Sequence, residues 1–320
     1  MILIAPDKYR GTLTSLQAAR IIAESIGGHK LILPMADGGE GTAACIASLE
    51  PGWEMLYAGC FVNRIIKAAA LDSSAIVGYS AENVATVPLE RSSAKLGVEL
   101  ERLYRQEKVR KIFLGIGGTS VCDGGRGMLE KMSRRIPWQS VLVGLSDVKA
   151  PLLPRLADEI SAISFCRQKG YSDKDITEVR KHLEAVIKRY GPPLSPYAGA
   201  GGGIGYAVAD VLGAPCYPGA EWLIEKARIP WDEITCVVTG EGKYDRQTEQ
   251  GKVVATLAEK ARKTGVPTVC FAGCVEDRVK DVDLLTVVDT SKYDRDRPLN
   301  SETARLRLEK ACKDFFENKF

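Results

Sequence analysis

The strongest constraint on this chain is a pattern that recurs at both of its ends. A short unbroken apolar run is followed by a loop of Asp, Glu and Gly at its carboxyl end, and then by a stretch with helical apolar spacing. Residues 1–5 (MILIA) are such a run, as expected of a strand buried on both faces, and Pro6-Asp7 stop it. Thr14, with Gln17 three positions on, predicts a capping box that opens the helix LQAARIIAESI, and Gly27-Gly28 end it. A strand over 30–34 and a short helix at about 42–49 follow, joined by the loop MADGGEGT. Toward the other end, ITCVVT (234–239), a helix over 253–263, PTVCFA (267–272), a strand over 281–288 and the amphipathic ETARLRLEKACKDFF repeat the alternation. That rhythm is the signature of βαβ units stacked around a parallel sheet.

The middle has a different texture. Residues 60–90 alternate more and hold two short strand-like runs, AAALD and AIVGYS, which predict a mixed or antiparallel sheet. An amphipathic helix over 92–106 precedes KIFLGIGG, another strand feeding a glycine-rich turn. Residues 173–189 read as a charged surface helix, and the breaker-rich GPPLSPYAGAGGGIG (191–205) opens the helix YAVADVLG. The expected architecture is α/β in two lobes. Residues 1–59 and 232–320 build one parallel-sheet lobe, and 60–231 are inserted as a second.

At 320 residues, the chain is long enough to remove roughly three quarters of its unfolded surface from water without staples. The 44 Lys and Arg against 41 Asp and Glu leave a charge of +3, too even to favour nucleic acid or an anionic membrane as partner. His29 and His182 are the two histidines, which argues against a His-based zinc site. Nine cysteines, none in a C-x-x-C pair, read as free thiols of an intracellular protein. Neither a signal peptide nor a membrane-length apolar stretch is evident, so a cytoplasmic protein is expected, as monomer or homodimer.

Five loops share the strand-end design: 7–12, 37–42, 115–120 with 123–125 behind it, 199–205 and 240–245. Each taken singly can be an ordinary tight turn; five together, mixed with acids and bases, point to a ligand edge. Glycines let backbone N–H groups approach phosphate oxygens, carboxylates suit Mg2+, and Lys or Arg offset the charge of a transferred group. The inventory favours phosphoryl transfer. No G-x-S-x-G and no G-x-x-x-x-G-K-[ST] occurs, which removes a hydrolase elbow and a P-loop. Gly39-Glu40-Gly41-Thr42-Ala43-Ala44 mimics a dinucleotide fingerprint, but the acid expected about 20 residues later is missing and Glu40 would repel a pyrophosphate.

Read in order, these loops resemble the bacterial glycerate kinase family, the type without a Walker motif. The resemblance rests on Ala5-Pro6-Asp7 with Gly11-Thr12-Leu13, on Leu33 to Thr42 (LPMADGGEGT), and on Gly115-Ile116-Gly117-Gly118 with Asp123-Gly124-Gly125. Ser146-Asp147-Val148, Gln168-Lys169-Gly170, the run from Gly199 to Gly205 and Thr239-Gly240-Glu241-Gly242 with Asp245 continue it, so that it covers nearly the whole chain. The resemblance implies a flavodoxin-like lobe interrupted by a second α/β lobe with the active site between them. It further implies ATP- and Mg2+-dependent phosphorylation of a hydroxyl of D-glycerate. Departures are local. Lys8 and Arg10 stand where the family commonly has Ser and Lys, and Cys122 and Ala150 replace asparagines.

Roles follow as expectations. Asp37 and Asp245 orient the attacking hydroxyl or bind metal, with Asp147 a third metal candidate and Asp7 and Glu241 completing the catalytic acids. Lys8, Arg10, Gly38, Gly39 and Glu40 would hold glycerate. Gly117, Gly118, Thr119, Gly201, Gly202, Gly203 and Lys252 would cradle nucleotide phosphates. Asp123 is expected to be a helix cap, and Glu40 and Glu241 have loop shaping as a competing role. Besides a working glycerate kinase, two readings stay open here: a kinase for another hydroxy or sugar acid, and a silent relative with a binding role.

Overall fold

Leu3 and Ile4 are wholly buried because the strand that carries them runs inside a sheet covered on both faces. In the computed structural model, residues 1–146, 148–156, 158–245, 252–276, 283–293 and 298–319 are described. The strands among them, in chain order, are β1 (Ile2–Ile4), β2 (Lys30–Ile32), β3 (Trp53–Tyr57), β4 (Cys60–Asn63), β5 (Ala68–Asp72), β6 (Lys111–Gly115), β7 (Leu142–Ser146), β8 (Cys216–Pro218), β9 (Cys236–Glu241), β10 (Thr268–Ala272) and β11 (Leu285–Asp289). The fold is mixed α/β, and the chain divides into two compact units.

The first unit comprises Met1–Asp37 and Ala220–Phe320. Its sheet has the order β11-β10-β9-β1-β2, and every pairing is parallel. Numbered within the unit, that is the flavodoxin-like order 2-1-3-4-5, whose direction reverses between β1 and β9. One face is covered by the helices Ser15–Ser25 and Ser301–Lys319, with Ala18, Ala19, Ile22, Leu308 and Ala311 packed on Ile4, Val238 and Phe271. On the other face, Val254 of the helix Val253–Lys263 packs on Cys270 and Ala272. The Thr14–Gln17 capping box forms in both directions.

The second unit, Gly38–Gly219, holds a six-stranded sheet in the order β3-β4-β5-β6-β7-β8. It is mixed: β3, β4 and β5 pair antiparallel, and β5 through β8 pair parallel. AIVGYS is not a strand. Residues Ser73–Val77 form a short helix directly after β5. Tertiary contacts override the β-branched pair: Ser73 Oγ donates to the Gly115 carbonyl at 2.7 Å, and Val77 O accepts from both Ser120 N and Ser120 Oγ.

The unit boundaries at 37/38 and 219/220 also depart from the expected 59/60 and 231/232. Residues 38–59 go with the second unit because the Asp72 carboxylate binds the start of the helix Thr42–Ser48, and β3 and β4 extend its sheet. All nine cysteines are free thiols, with Cys274 the exposed one. Among the described residues no helix is long and apolar enough to cross a membrane.

Candidate functional site

In the first unit, the carboxyl ends of β1, β2 and β9 are stitched together by the backbone. Asp7 N donates to Gly240 O at 2.8 Å, and Met35 N donates to Pro6 O at 2.9 Å. Residues 6–7, 35–37 and 240–241 therefore lie along one edge, at the reversal point where open α/β sheets bind ligands. Gly240 has no Cβ because one would fall 2.3 Å from Tyr9 Oη. The Tyr9 hydroxyl donates to Phe271 O at 2.6 Å, which pins the turn after β1 over the sheet.

Asp7 is buried at 8% exposure, and its Oδ1 accepts the Lys8 amide at 2.7 Å. Burial pushes its carboxyl up to about 7, and the neighbouring Asp37 charge adds to that rise; Lys8 and Lys252 pull the other way. Lys8 Nζ also stands 3.8 Å from Asp37 Oδ1. Glu241 ends β9 and is buried. Lys243 bridges Asp245 at 3.5 Å and Glu276 at 2.5 Å. Lys252 is the residue before the helix Val253–Lys263. Arg10 is exposed. The edge thus gathers Asp7, Lys8, Asp37 and, within electrostatic range, Lys252. Asp245 is engaged by Lys243, and Asp147 lies outside the described residues.

In the second unit, the loop after residue 37 lies across the carboxyl ends of β5, β6 and β7. Gly38, at φ +109°, presses so closely on β7 that a Cβ would sit 2.6 Å from Ser146 C. Gly38 O accepts the Gly117 amide at 3.0 Å, and Gly39 O accepts Thr42 Oγ1 at 2.7 Å. Asp72 Oδ2 takes the Gly41 amide and Oδ1 the Ala43 amide, each at 2.8 Å. Glu40 and Gly118 are exposed, and Thr119 is buried with its Oγ1 3.3 Å from Lys169 Nζ.

The run Gly201-Gly202-Gly203 has a packing explanation independent of any ligand. All three have positive φ, and added Cβ atoms would fall 2.7 Å from Ile116 O, 2.1 Å from Val121 O and 2.4 Å from Gly124 Cα. The Gly117 amide is likewise committed, to Gly38 O, leaving Gly118 as the exposed glycine of that turn. Asp123 is a structural cap, as expected: its carboxylate accepts from Ser93 N and Oγ at 2.8 Å each, and from the Gly125 and Gly127 amides.

A profile described as the Glycerate kinase family matches residues 2–141 and 132–315. The chain belongs to the glycerate kinase family. Its class is therefore that of a kinase. The glycerate kinase of Halalkalibacterium halodurans is 28% identical over 85% of each chain. The glycerate 2-kinase of Escherichia coli K12 is 28% identical over 87% of this chain and 86% of its own. A crystal structure carrying the name glycerate kinase 2, from Salmonella typhimurium LT2, superposes with a TM-score of 0.73 at 21% identity, covering 99% of this chain and 97% of that one. That last likeness concerns the fold.

Within this glycerate kinase family member, sequence reasoning passed over Asp72, which holds the D-G-G-E-G loop from below. Its signal was available: AAALD is an apolar run closed by an acid, the same design as the five loops singled out. Among the described residues no group of three or more His, Cys, Asp or Glu is arranged to hold a metal ion.

Proposed function

We propose that this protein transfers a phosphoryl group from ATP to a hydroxyl of D-glycerate, assisted by Mg2+. The observation that carries the reading is the buried Asp7 carboxyl at the β1/β9 reversal, with Asp37 and two lysines around it. Phosphoryl transfer asks little covalent chemistry of a protein; positioning and charge neutralisation supply most of the rate. What it does need is a carboxylate that receives the hydroxyl proton as transfer completes. A carboxyl titrating near neutrality is matched to that task. Asp7 takes this role. Arg10 and Lys8 hold the glycerate carboxylate, the guanidinium offering a bidentate grip. Lys252, at the start of its helix, faces the ATP phosphates.

The donor set fits Mg2+, which takes one or two carboxylates and completes its shell with water and substrate phosphate. Asp37 is the residue to hold it, with Asp245 and Asp147 as further candidates. A cation there supplies neutralisation of the phosphate charge.

The test is ADP release from Mg-ATP with D-glycerate, against L-glycerate, tartronate and no acceptor. Turnover confined to D-glycerate supports the reading. Folded protein that releases ADP only with another hydroxy acid, or with none, overturns the substrate or the activity. Excess EDTA should abolish the release.

A further inference from the structure

Two thiols meet in the second unit. Cys122 Sγ and Cys166 Sγ are 3.3 Å apart, with the Cys166 S–H donating to Cys122. Cys122 sits between the glycine turn after β6 and the cap Asp123; Cys166 lies between two single helical turns, Ala162–Phe165 and Arg167–Lys169. Cys166 is wholly buried, and Cys122 is 3% exposed. The two differ in access. Cys122 lines a cavity of about 520 Å³ walled by Arg91, Asp123, Arg126, Tyr171 and His182, and Cys166 does not. The lining includes the exposed Leu89 and Lys181, so the cavity reaches the surface.

The surroundings also make the sulfurs unequal. The hydrogen bond from Cys166 draws the Cys122 thiol below its ordinary range, and the Lys169 ammonium adds to this against the cost of burial. The same bond, with burial, holds the Cys166 thiol well above its own ordinary range. Access through the cavity makes Cys122 the sulfur that meets an oxidant, with Cys166 within reach behind it.

We propose that Cys122 and Cys166 form a reversible disulfide, with Cys122 reacting first with hydrogen peroxide that enters through the cavity and Cys166 resolving the product. The Cys122 thiolate attacks one peroxide oxygen and the O–O bond breaks, giving a sulfenic acid and hydroxide, which takes up the proton released by Cys122 and leaves as water. Cys166 sulfur then attacks Cys122 sulfur; the S–S bond forms, the S–O bond breaks, and the hydroxide leaves with the Cys166 proton as a second water. Two thiols and one peroxide become one disulfide and two waters. The sulfurs must close by about 1.3 Å to reach a bonded separation. That movement draws together segments that Lys169 already ties, through Val121 O at 2.8 Å and Thr119 Oγ1 at 3.3 Å. The disulfide is thereby linked to the glycine turn itself. The inference stands independently of which substrate the protein phosphorylates.

The experiment uses the full chain carrying Cys274→Ser, which removes the exposed thiol. Peroxide-treated protein is alkylated under denaturing conditions and digested without reduction, and its peptides are weighed. The expected product is a peptide pair linking 122 to 166, two hydrogens lighter than the free pair and lost on dithiothreitol treatment. In a Cys166→Ser background the link should be replaced by a dimedone adduct on Cys122; in Cys122→Ser, Cys166 should remain alkylatable. Circular dichroism and melting before oxidation establish that each variant is folded. Full alkylation of both residues, over-oxidation of Cys122 without a link, or pairing of either with another cysteine overturns the proposal.

Discussion

The amide of Asp7 donates to the carbonyl oxygen of Gly240 over 2.8 Å, a bond that spans the two strands between which the sheet order reverses. It sets the register of the turn after β1, so that the Asp7 carboxyl is held in the sheet edge rather than in solvent. Gly240 and Tyr9 make the approach possible, one by lacking a side chain and the other by anchoring to Phe271 O. The consequences of burying a carboxyl at that point are measurable.

Replacing Asp7 by Asn should lower kcat by roughly 10²–10⁴-fold, the usual contribution of a positioned base, while the folded protein survives. The pH dependence of stability provides a separate readout. The folded-state carboxyl titrates at about 7 against an ordinary 3.8, so the native state holds the proton more tightly than the unfolded chain. Its stabilising contribution is complete below about pH 4 and is lost as pH rises through about 7. Metal-free wild-type protein should therefore lose stability across that window, and Asp7→Asn should not. Denaturant titrations at several pH values check this.

Lys252 opposes the rise in Asp7 titration and faces the phosphates in the proposed reading. Lys252→Met should raise KM for ATP about tenfold, as expected for losing one charge-assisted contact. It should also move the acidic limb of the kcat/KM profile upward. A change in KM for glycerate alone would assign the lysine elsewhere.

Asp72→Asn leaves one acceptor for the two amides of Gly41 and Ala43. The expected loss is about 1–3 kcal/mol, a helix cap plus a charge-assisted hydrogen bond. Urea unfolding measures it, and an unchanged midpoint would mean that the loop holds itself.

Gly202→Ala places a Cβ 2.1 Å from Val121 O at φ +68°. Gly265→Ala has a similar φ of +71° and nothing within 4 Å. The second should cost about 1–2 kcal/mol, the left-handed penalty alone. The first should cost about 3 kcal/mol or more, because backbone cannot yield as a side chain can. Equal melting shifts would remove the packing account of the glycine run.

Much of the chemistry could be read from order alone. Asp7, Lys8 and Asp37 were named from strand-end loops, and the structure brings them to one edge. From order alone Asp37 and Asp245 are the principal acids, whereas the structure buries Asp7 and Glu241. Exposure of a carboxyl depends on what packs over it, here the Tyr9 turn and the β9 end, hundreds of residues apart in sequence. Gly201, Gly202 and Gly203 looked like a phosphate cradle, yet they rest against the backbone of 116–124. A glycine required by a neighbouring strand and one required by a ligand leave the same letter.

By itself the sequence determined the α/β class, the parallel strands, the Thr14 and Asp123 caps and the family, because apolar period, capping chemistry and loop motifs are local and survive in order. Tertiary structure decided the rest. It placed Ser73–Val77 in a helix, moved residues 38–59 to the second unit through the Asp72 carboxylate, buried Asp7, and set Cys122 against Cys166. Each of those outcomes depends on an atom distant in the chain arriving within a few ångströms, and no local pattern encodes that distance.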